Sequence, residues 1–281
     1  MTESELMKKF KTVSKIKKGG QKKVYKAVTF DGMTFALKII DNATDQRVLQ
    51  EISLVKTISM PFVPKIFESG IVNDDSVGED VLYIVEQFIE GVSLRNWIDR
   101  NNVADLKFAY SLLEFLLSAE IELENNKILH RDINPNNIIL ETDGKFYLID
   151  FGLAKVVGAA SLTQTAAAHG PFTPGYAPYE QFSNNKIAQD VRTDLFQIGV
   201  TIYECCKGKN PFVDENSTLP QIMSRTMTMI PQLLNLPGDT KGQFAEFINI
   251  LMAKNQSQRP DTAADAMRYL KAVRTTLEIE D

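Results

Sequence analysis

The most informative stretch of the chain reads His130-Arg131-Asp132-Ile133-Asn134-Pro135-Asn136-Asn137, and Asp150-Phe151-Gly152 follows it at short range. Asp132 is a candidate proton acceptor, and a proline-containing loop joins it to Asn137. The apolar run from Tyr147 to Ile149 predicts a short strand that presents Asp150 at its end. A base, an amide and a carboxylate held close together are the groups that phosphoryl transfer from ATP requires.

The spacing HRDxxxxN followed by DFG resembles the eukaryotic-like serine/threonine protein kinases. The resemblance runs from about Lys15 to about Val273. It implies an α+β fold with two lobes, a β-rich N-lobe over residues 1–88 and an α-rich C-lobe over residues 89–281. It also implies ATP and Mg²⁺ as cofactors, and transfer of the γ-phosphate to serine or threonine hydroxyls of a protein substrate.

The first part of the chain has the pattern of β-strands. Val24–Val28 and Thr34–Ile40 flank Asp31-Gly32, which is a hairpin signal. Two further strands are predicted near residues 65–72 and 81–88. Apolar residues at helical spacing predict helices over residues 44–58, 104–127, 190–207, 242–254 and 262–277. The helix over 190–207 is apolar nearly all round, so it should be buried.

Lys38 lies on the second strand of the predicted hairpin. A cation there reaches ATP phosphates only if its flexible stem is held, and Glu51 on the next predicted helix can hold it through an ion pair. The family uses this Lys–Glu arrangement. We choose Glu51 because Met60-Pro61 follows it at the spacing where kinases carry a His-Pro-like pair.

The phosphate loop is the weakest match to the family. Aligning Val24 with the valine of GxGxxGxV leaves only Gly19 at a glycine position, with Gly20 beside it, while Lys17 and Lys22 replace the other two glycines. Two adjacent glycines still permit a tight turn with close backbone approach to phosphate. The flanking lysines can add positive charge to those amide contacts.

The resemblance assigns the catalytic roles. Asp132 matches the catalytic base, and Asn137 and Asp150 match the magnesium ligands, whose hard oxygens suit that ion. Asn134 is the main departure, because the family usually places lysine two residues after the catalytic aspartate. Asparagine can donate a hydrogen bond but carries no charge. We predict that Asn134→Lys raises or preserves turnover.

The same match gives the adenine site. Val24, Ala36 and Ile139 would sandwich the adenine, and Gln87 C=O and Ile89 N–H would meet its edge. Glu86 falls at the gatekeeper position in the pocket wall. A buried carboxylate there needs a partner or solvent.

Several residues outside the catalytic loop match supporting positions of the family. His130 is expected to pack with Phe151, and Val55 with them, in the regulatory spine. Glu180 is expected to pair with Arg259, Asp194 to brace the catalytic loop, and Thr173 to mark specificity for serine and threonine hydroxyls.

The segment between Asp150 and Glu180 resembles an activation segment. It contains Ser161, Thr163 and Thr165, and Arg131 could pair with a phosphate placed there. We therefore expect autophosphorylation within residues 161–165.

Composition limits the other function classes. The formal charge of −5 over 281 residues gives no global case for nucleic-acid binding. The adjacent Cys205 and Cys206 are expected to be reduced core thiols. The absence of an apolar signal core and of a run of about 18 apolar residues predicts a cytoplasmic protein with no membrane span. The oligomeric state, the substrate and the pathway do not follow from the sequence.

Two other functions remain open from the sequence. An aminoglycoside-type small-molecule phosphotransferase shares the Asp…Asn…Asp logic but usually lacks the HRD arginine and the Pro-Glu element. A pseudokinase that acts as a binding module is favoured by the depleted glycine loop and by Asn134. It is opposed by Lys38, Glu51, Asp132, Asn137 and Asp150.

Overall fold

The computed structural model describes residues 1–18, 22–41, 60–76, 78–151, 154–156, 172–185 and 187–279, without the side chains of residues 17, 18, 155 and 156. Backbone contacts divide the chain into two compact units. The N-terminal unit consists of residues 1–91 and 141–152, and the C-terminal unit consists of residues 92–140 and 153–281.

The N-terminal unit contains a five-stranded antiparallel sheet in the order β1-β2-β3-β5-β4. Its strands are β1 Thr12–Lys18, β2 Lys22–Val28, β3 Thr34–Ile40, β4 Ile66–Asn73 and β5 Asp80–Gln87. The predicted hairpin joins β2 to β3, and Gly32 in its turn has φ +88°, a conformation that favours glycine. The strand-rich first part of the sequence is thereby confirmed.

The two faces of this sheet differ in character because successive side chains of a strand point to opposite faces. One face carries the apolar core. A short helix, α1 (Glu3–Met7), packs against that face through Leu6, which is fully buried. The core residues are Leu6, Ala27, Leu37, Ile39, Val72, Val81, Tyr83 and Val85.

The other face carries the predicted phosphate and adenine residues. Residues directly opposite one another in neighbouring strands share a face. Val24 pairs with Lys38, and Ala36 pairs with Glu86. Lys22 lies two residues from Val24 and therefore shares this face, as does Lys38 with Ala36. The sheet register thus collects these side chains on one surface.

The C-terminal unit is built mainly from helices. They are α2 Leu94–Asp99, α3 Leu106–Asn125, α4 Tyr179–Phe182, α5 Val191–Lys207, α6 Leu219–Thr228, α7 Gln243–Leu251 and α8 Ala263–Arg274, with 3₁₀ turns at Pro135–Asn137 and Gln256–Gln258. The remaining short strands in the described part of the chain are β6 Gly91–Ser93, β7 Ile128–Leu129, β8 Ile138–Glu141, β9 Phe146–Leu148 and β10 Lys155–Val156. The predicted α+β fold class is confirmed.

Local sequence explains where the long helices begin and end. The side chains of Asp105, Asp190 and Thr262 accept hydrogen bonds from the first-turn amides of α3, α5 and α8. Gly208 ends α5 with φ +73°. Every residue of α5 from Val191 to Cys206 except Arg192 is buried, as its all-round apolar sequence predicts.

Not every element was predicted. The helices α2 and α6 had no predicted counterpart, although α6 begins with a capping box at Thr218 and a proline in its first turn. The helix predicted over residues 44–58 lies outside the described residues.

Candidate active site

The catalytic loop, residues 130–137, is held by α5. Asp194 is fully buried and accepts hydrogen bonds from the backbone amides of His130 and Arg131, both at 2.7 Å. Burial raises the pKa of Asp194 to about 7, while the two amides favour its charged form. The predicted brace is confirmed.

A second residue of α5 fixes the same loop and was missed in the sequence. Gln197 Oε1 accepts from Ile133 N at 2.7 Å, and its Nε2 donates to Arg131 O at 2.9 Å and to Gln181 Oε1 at 2.7 Å. Its place in a buried helix is the signal that could have identified it, because a buried amide requires partners. Gln197 therefore holds the loop backbone both as an acceptor and as a donor.

Three neutral side chains of the described residues donate hydrogen bonds to the Asp132 carboxylate. Oδ1 accepts from Asn134 Nδ2 at 3.0 Å and from Thr173 Oγ1 at 2.5 Å, and Oδ2 accepts from Asn137 Nδ2 at 2.7 Å. An amide NH₂ can only donate, so these contacts fit an ionised carboxylate. The arrangement holds the Asp132 carboxylate, as an acceptor, beside the hydroxyl group of Thr173.

Thr173 reaches Asp132 because a tight turn follows it. Tyr176 N donates to Thr173 O at 3.2 Å, and Gly175 within the turn has φ +83°. A Cβ at Gly175 would lie 2.5 Å from Val213 Cγ2, so a side chain there would clash as well as strain the backbone.

Asn134 both caps the loop and contacts the carboxylate. It is only 2% exposed, and its Oδ1 accepts from Asn136 N at 3.0 Å as the N-cap of the 3₁₀ turn. The other end of the same amide, Nδ2, donates to Asp132 Oδ1. The residue that departs most from the family pattern therefore connects the loop backbone to the predicted base.

Asn137 fits the predicted role of a metal ligand. Its Nδ2 donates to Asp132 O at 2.9 Å and to Asp132 Oδ2, which fixes the orientation of the amide. No donor among the described residues reaches Asn137 Oδ1, so this oxygen is left as an acceptor for a cation. An amide oxygen is a hard ligand of the kind that Mg²⁺ takes.

The activation-segment end is anchored by a buried ion pair. Arg259 Nη1 lies 2.6 Å from Glu180 Oε1, and their side chains are 1% and 7% exposed. The predicted pair is confirmed.

Arg131 of the catalytic loop has φ +62°, and its backbone carbonyl accepts hydrogen bonds from Gln181 and Gln197. Burial lowers the pKa of its guanidinium.

Lys38 in the N-terminal unit pairs with a residue that the sequence did not assign to it. Lys38 Nζ lies 2.6 Å from Glu86 Oε1, and the two side chains are 7% and 9% exposed. Glu86, whose position in the pocket wall requires a partner, obtains one on the neighbouring strand. Glu51, the predicted partner of Lys38, lies outside the described residues.

The predicted adenine residues of the N-terminal unit have suitable environments. Ala36 is buried and Val24 is half-buried on the same sheet face. Ile89 is 5% exposed, and the hydrogen bonds of the described residues include none from its N–H. Gln87 N donates to Lys65 O, so its backbone is held in place. Ile139 follows the catalytic loop on β8 of the C-terminal unit and is half-buried.

Asp150 is the second residue after the end of β9. Its φ is +68°, and its Oδ1 lies 3.1 Å from Lys22 Nζ. Among the described residues, no three His, Cys, Asp or Glu side chains cluster as a metal site. The predicted metal site therefore depends on one carboxylate and one amide, and kinases complete such a shell with water and phosphate oxygens.

Several predicted residues cannot be placed. Gly19, Gly20, Val55 and the candidate phosphorylation sites Ser161, Thr163 and Thr165 lie outside the described residues. The others fall into two groups, one in each unit. His130 and Phe151 are buried, and their packing in a regulatory spine stays a prediction. Cys205 and Cys206 are buried free thiols, as expected.

Comparison with known proteins agrees with this geometry. The sequence profile described as "Protein kinase domain" matches residues 10–270. The chain belongs to the protein kinase domain family. The match spans both units and contains every residue placed above in the catalytic loop and on the site face of the sheet.

Curated relatives carry serine/threonine kinase names. A probable serine/threonine-protein kinase pknA2 of Bifidobacterium longum is 25% identical over 97% of this chain and 36% of its own length. Serine/threonine-protein kinase PrkC of Bacillus subtilis is 26% identical over 90% of this chain and 38% of its own. Serine/threonine-protein kinase PknL of Mycobacterium tuberculosis is 28% identical over 95% and 66%, respectively.

These relatives favour protein phosphorylation over the two alternatives. The chain spans little more than a third of the length of the first curated relatives it matches. No helix in the described parts of the chain is long and apolar enough to cross a membrane.

Proposed function

We propose that the chain is an ATP-dependent protein kinase that transfers the γ-phosphate to serine or threonine hydroxyls. The observation that carries this proposal is the Asp132 carboxylate, held by Asn134, Asn137 and Thr173 within hydrogen-bonding distance. A fixed, ionised acceptor is what a substrate hydroxyl needs when it attacks phosphorus.

In the proposed reaction Asp132 orients the substrate hydroxyl and accepts its proton. The hydroxyl oxygen forms a bond to the γ-phosphorus, while the bond from phosphorus to the β,γ-bridging oxygen breaks and ADP leaves. Lys38 contacts the phosphates of ATP, and Ala36, Val24 and Ile139 enclose its adenine. The backbone of Gln87 and Ile89 supplies the polar contacts to the adenine edge.

We further propose that the divalent metal is Mg²⁺, with Asn137 and Asp150 as its protein ligands. Bound there, Mg²⁺ would neutralise phosphate charge and fix the γ-phosphate for transfer. The amide orientation at Asn137 supports this choice because it leaves Oδ1 as the acceptor. Lys38, Glu51 and the glycines Gly19 and Gly20 complete the proposed nucleotide site.

The lobe boundary between residues 88 and 89 stays a prediction. The same holds for the cytoplasmic location and for the absence of nucleic-acid binding. Autophosphorylation within residues 161–165 is also a proposal, supported by the hydroxyl residues there and by Arg131 in the HRD motif.

The test is incubation of the purified chain with Mg-ATP and casein or myelin basic protein, followed by mass spectrometry. We expect phosphoserine or phosphothreonine on the added protein, with no signal from Asp132→Asn or Asp150→Asn. Phosphate on a small aminoglycoside but on no protein would contradict the proposal. An active enzyme with no phosphate between residues 161 and 165 would contradict only the autophosphorylation.

A further inference from the structure

The ion pair between Lys22 and Asp150 joins two parts of the proposed nucleotide site. Lys22 opens β2, at the place of the third phosphate-loop glycine, and Asp150 is a proposed metal ligand. Both residues belong to the N-terminal unit, and Lys22 Nζ lies 3.1 Å from Asp150 Oδ1. Their side chains are 22% and 37% exposed, so water and solutes can reach the pair.

The sheet register places Lys22 on the face that carries the predicted phosphate and adenine residues. Lys22 pairs with Ile40, two residues from Lys38 on β3, so both lysines project from the same face. Its neighbour Lys23 projects to the opposite face, where it pairs with Asp74 at 3.1 Å and Glu3 at 3.4 Å. Because side chains alternate along β2, the adjacent lysines Lys22 and Lys23 lie on opposite faces and contact different partners.

The charges of the other proposed phosphate-binding positions make the position of Lys22 informative. Lys38, the family's phosphate-binding lysine, is engaged by Glu86. Asn134 stands where the family usually carries a second positive charge, and it brings none. ATP carries several negative charges, and a protein kinase needs cations in its site to neutralise them. Lys22 is a cation on the correct face.

We propose that Lys22 is an additional catalytic residue that exchanges partners on nucleotide binding, from the Asp150 carboxylate to a phosphate of ATP. This inference rests on the proposed function. In the nucleotide-free protein Lys22 neutralises Asp150. When metal and ATP enter, Asp150 is needed by the metal, like-charge repulsion displaces Lys22, and the phosphates receive it.

The exchange has two consequences. Lys22 supplies the phosphates with one positive charge, and the chain lacks the charge that the family usually carries at the position of Asn134. It also makes nucleotide and metal binding cooperative, since metal can occupy Asp150 fully only after Lys22 has moved to phosphate.

The experiment compares the affinities of adenosine and of Mg-ATP for the full chain by calorimetry. Lys22→Gln should leave the adenosine affinity unchanged and weaken Mg-ATP binding about 10-fold, the size of one lost charged hydrogen bond. Lys22→Arg should restore most of it. Lys15→Gln is the control for the loss of one positive charge, because Lys15 is an exposed lysine on β1. It should change neither affinity.

A second measurement tests the partner exchange itself. In EDTA, Asp150→Asn should bind ATP about 5-fold more tightly than the unmodified chain, because it weakens the attraction of Asp150 for Lys22 and removes a carboxylate that repels phosphate. In the Lys22→Gln background the gain should be smaller, since only the repulsion is relieved.

The possible failures are distinguishable. An unchanged ratio of Mg-ATP to adenosine affinity in Lys22→Gln would overturn the role of Lys22 and leave the kinase proposal standing. Equal gains from Asp150→Asn in both backgrounds would overturn the exchange. An unmodified chain that binds neither ligand would overturn the proposed function and this inference together.

Discussion

Lys38 Nζ lies 2.6 Å from Glu86 Oε1, and both side chains are almost completely buried. The contact follows from the antiparallel register, in which Glu86 stands opposite Ala36 and Lys38 stands opposite Ile84. Residues on this diagonal lie on one face of the sheet and within reach of long side chains. The buried charge of Glu86 is therefore compensated inside the sheet.

Lys38→Met should damage both stability and activity, for separable reasons. It leaves Glu86 buried without its cation, and breaking a buried pair in this way costs about 3–5 kcal/mol. Loss of the phosphate contact should lower kcat about 10²- to 10³-fold. Chemical denaturation and steady-state kinetics measure the two effects.

The double variant Lys38→Met/Glu86→Met separates them. Replacing both charges by apolar residues of similar size should recover most of the stability, because no unpaired charge remains. It should recover none of the activity. Recovery of turnover in the double variant would show that Lys38 has no role in phosphate binding.

Contacts that are local in the chain follow from sequence spacing. Asn134 and Asn137 follow Asp132 within one loop, and the separation by 2 and 5 residues places their amides beside its carboxylate. Alternation along β3 likewise places Ala36 and Lys38 on one face. These are consequences of chain geometry over a few residues.

Contacts between distant segments could not be read in the same way. The pairing of Lys38 with Glu86 depends on the register between β3 and β5, which depends on packing of the whole sheet. Gln197 meets Ile133 across a separation of 64 residues. The family match supplied Asp194 and Arg259, but no general rule on spacing would have paired them with the catalytic loop and Glu180.

Asn134→Lys should preserve or raise turnover and reduce stability. A lysine can donate to the same Asp132 oxygen and adds a positive charge near the reacting phosphate. It cannot accept the Asn136 N–H bond, so the loss of the N-cap should cost about 1 kcal/mol and lower the Tm by about 2–4 °C.

Asn134→Ala is the matched comparison. It loses both the cap and the donor to Asp132, so the Tm should fall similarly and kcat should fall about 10-fold. Turnover and thermal unfolding of the two variants give the test. Loss of activity in Asn134→Lys would contradict the expectation and assign a specific role to the amide.

Arg259→Met should destabilise the C-terminal unit by about 3–5 kcal/mol, because Glu180 remains buried without its partner. The surface pair between Arg192 and Asp261 provides a control. Asp261 is 82% exposed and 3.5 Å from the guanidinium, so Asp261→Asn should change stability by less than about 1 kcal/mol. Urea unfolding distinguishes these values. Similar losses in the two variants would show that burial of the Glu180 pair is energetically unimportant.

Glu120 on α3 makes the stability of the C-terminal unit depend on pH. The residue is fully buried, and neither carboxyl oxygen has a hydrogen-bond partner among the described residues. Burial, followed by repulsion from Asp194 and Glu124, raises the pKa of Glu120 well above its ordinary value of 4.5.

The sign of the effect follows from linkage. Above pH 4.5 the unfolded chain loses the Glu120 proton while the folded chain keeps it. Stability from this group is therefore complete below pH 4.5 and falls by about 1.4 kcal/mol per pH unit until the raised pKa is reached. Asp194, whose pKa is about 7, contributes a slope of the same sign in the wild type and in the variants, so only differences between proteins isolate Glu120.

Glu120→Gln should remove this dependence because a neutral amide of the same shape has no proton to lose. Its free energy of unfolding should approach that of the unmodified chain near pH 5 and exceed it increasingly towards pH 8. Glu122→Gln, at an exposed position of the same helix, should show no such divergence. Parallel stability curves for the unmodified chain and Glu120→Gln between pH 5 and pH 8 would contradict a raised pKa at Glu120.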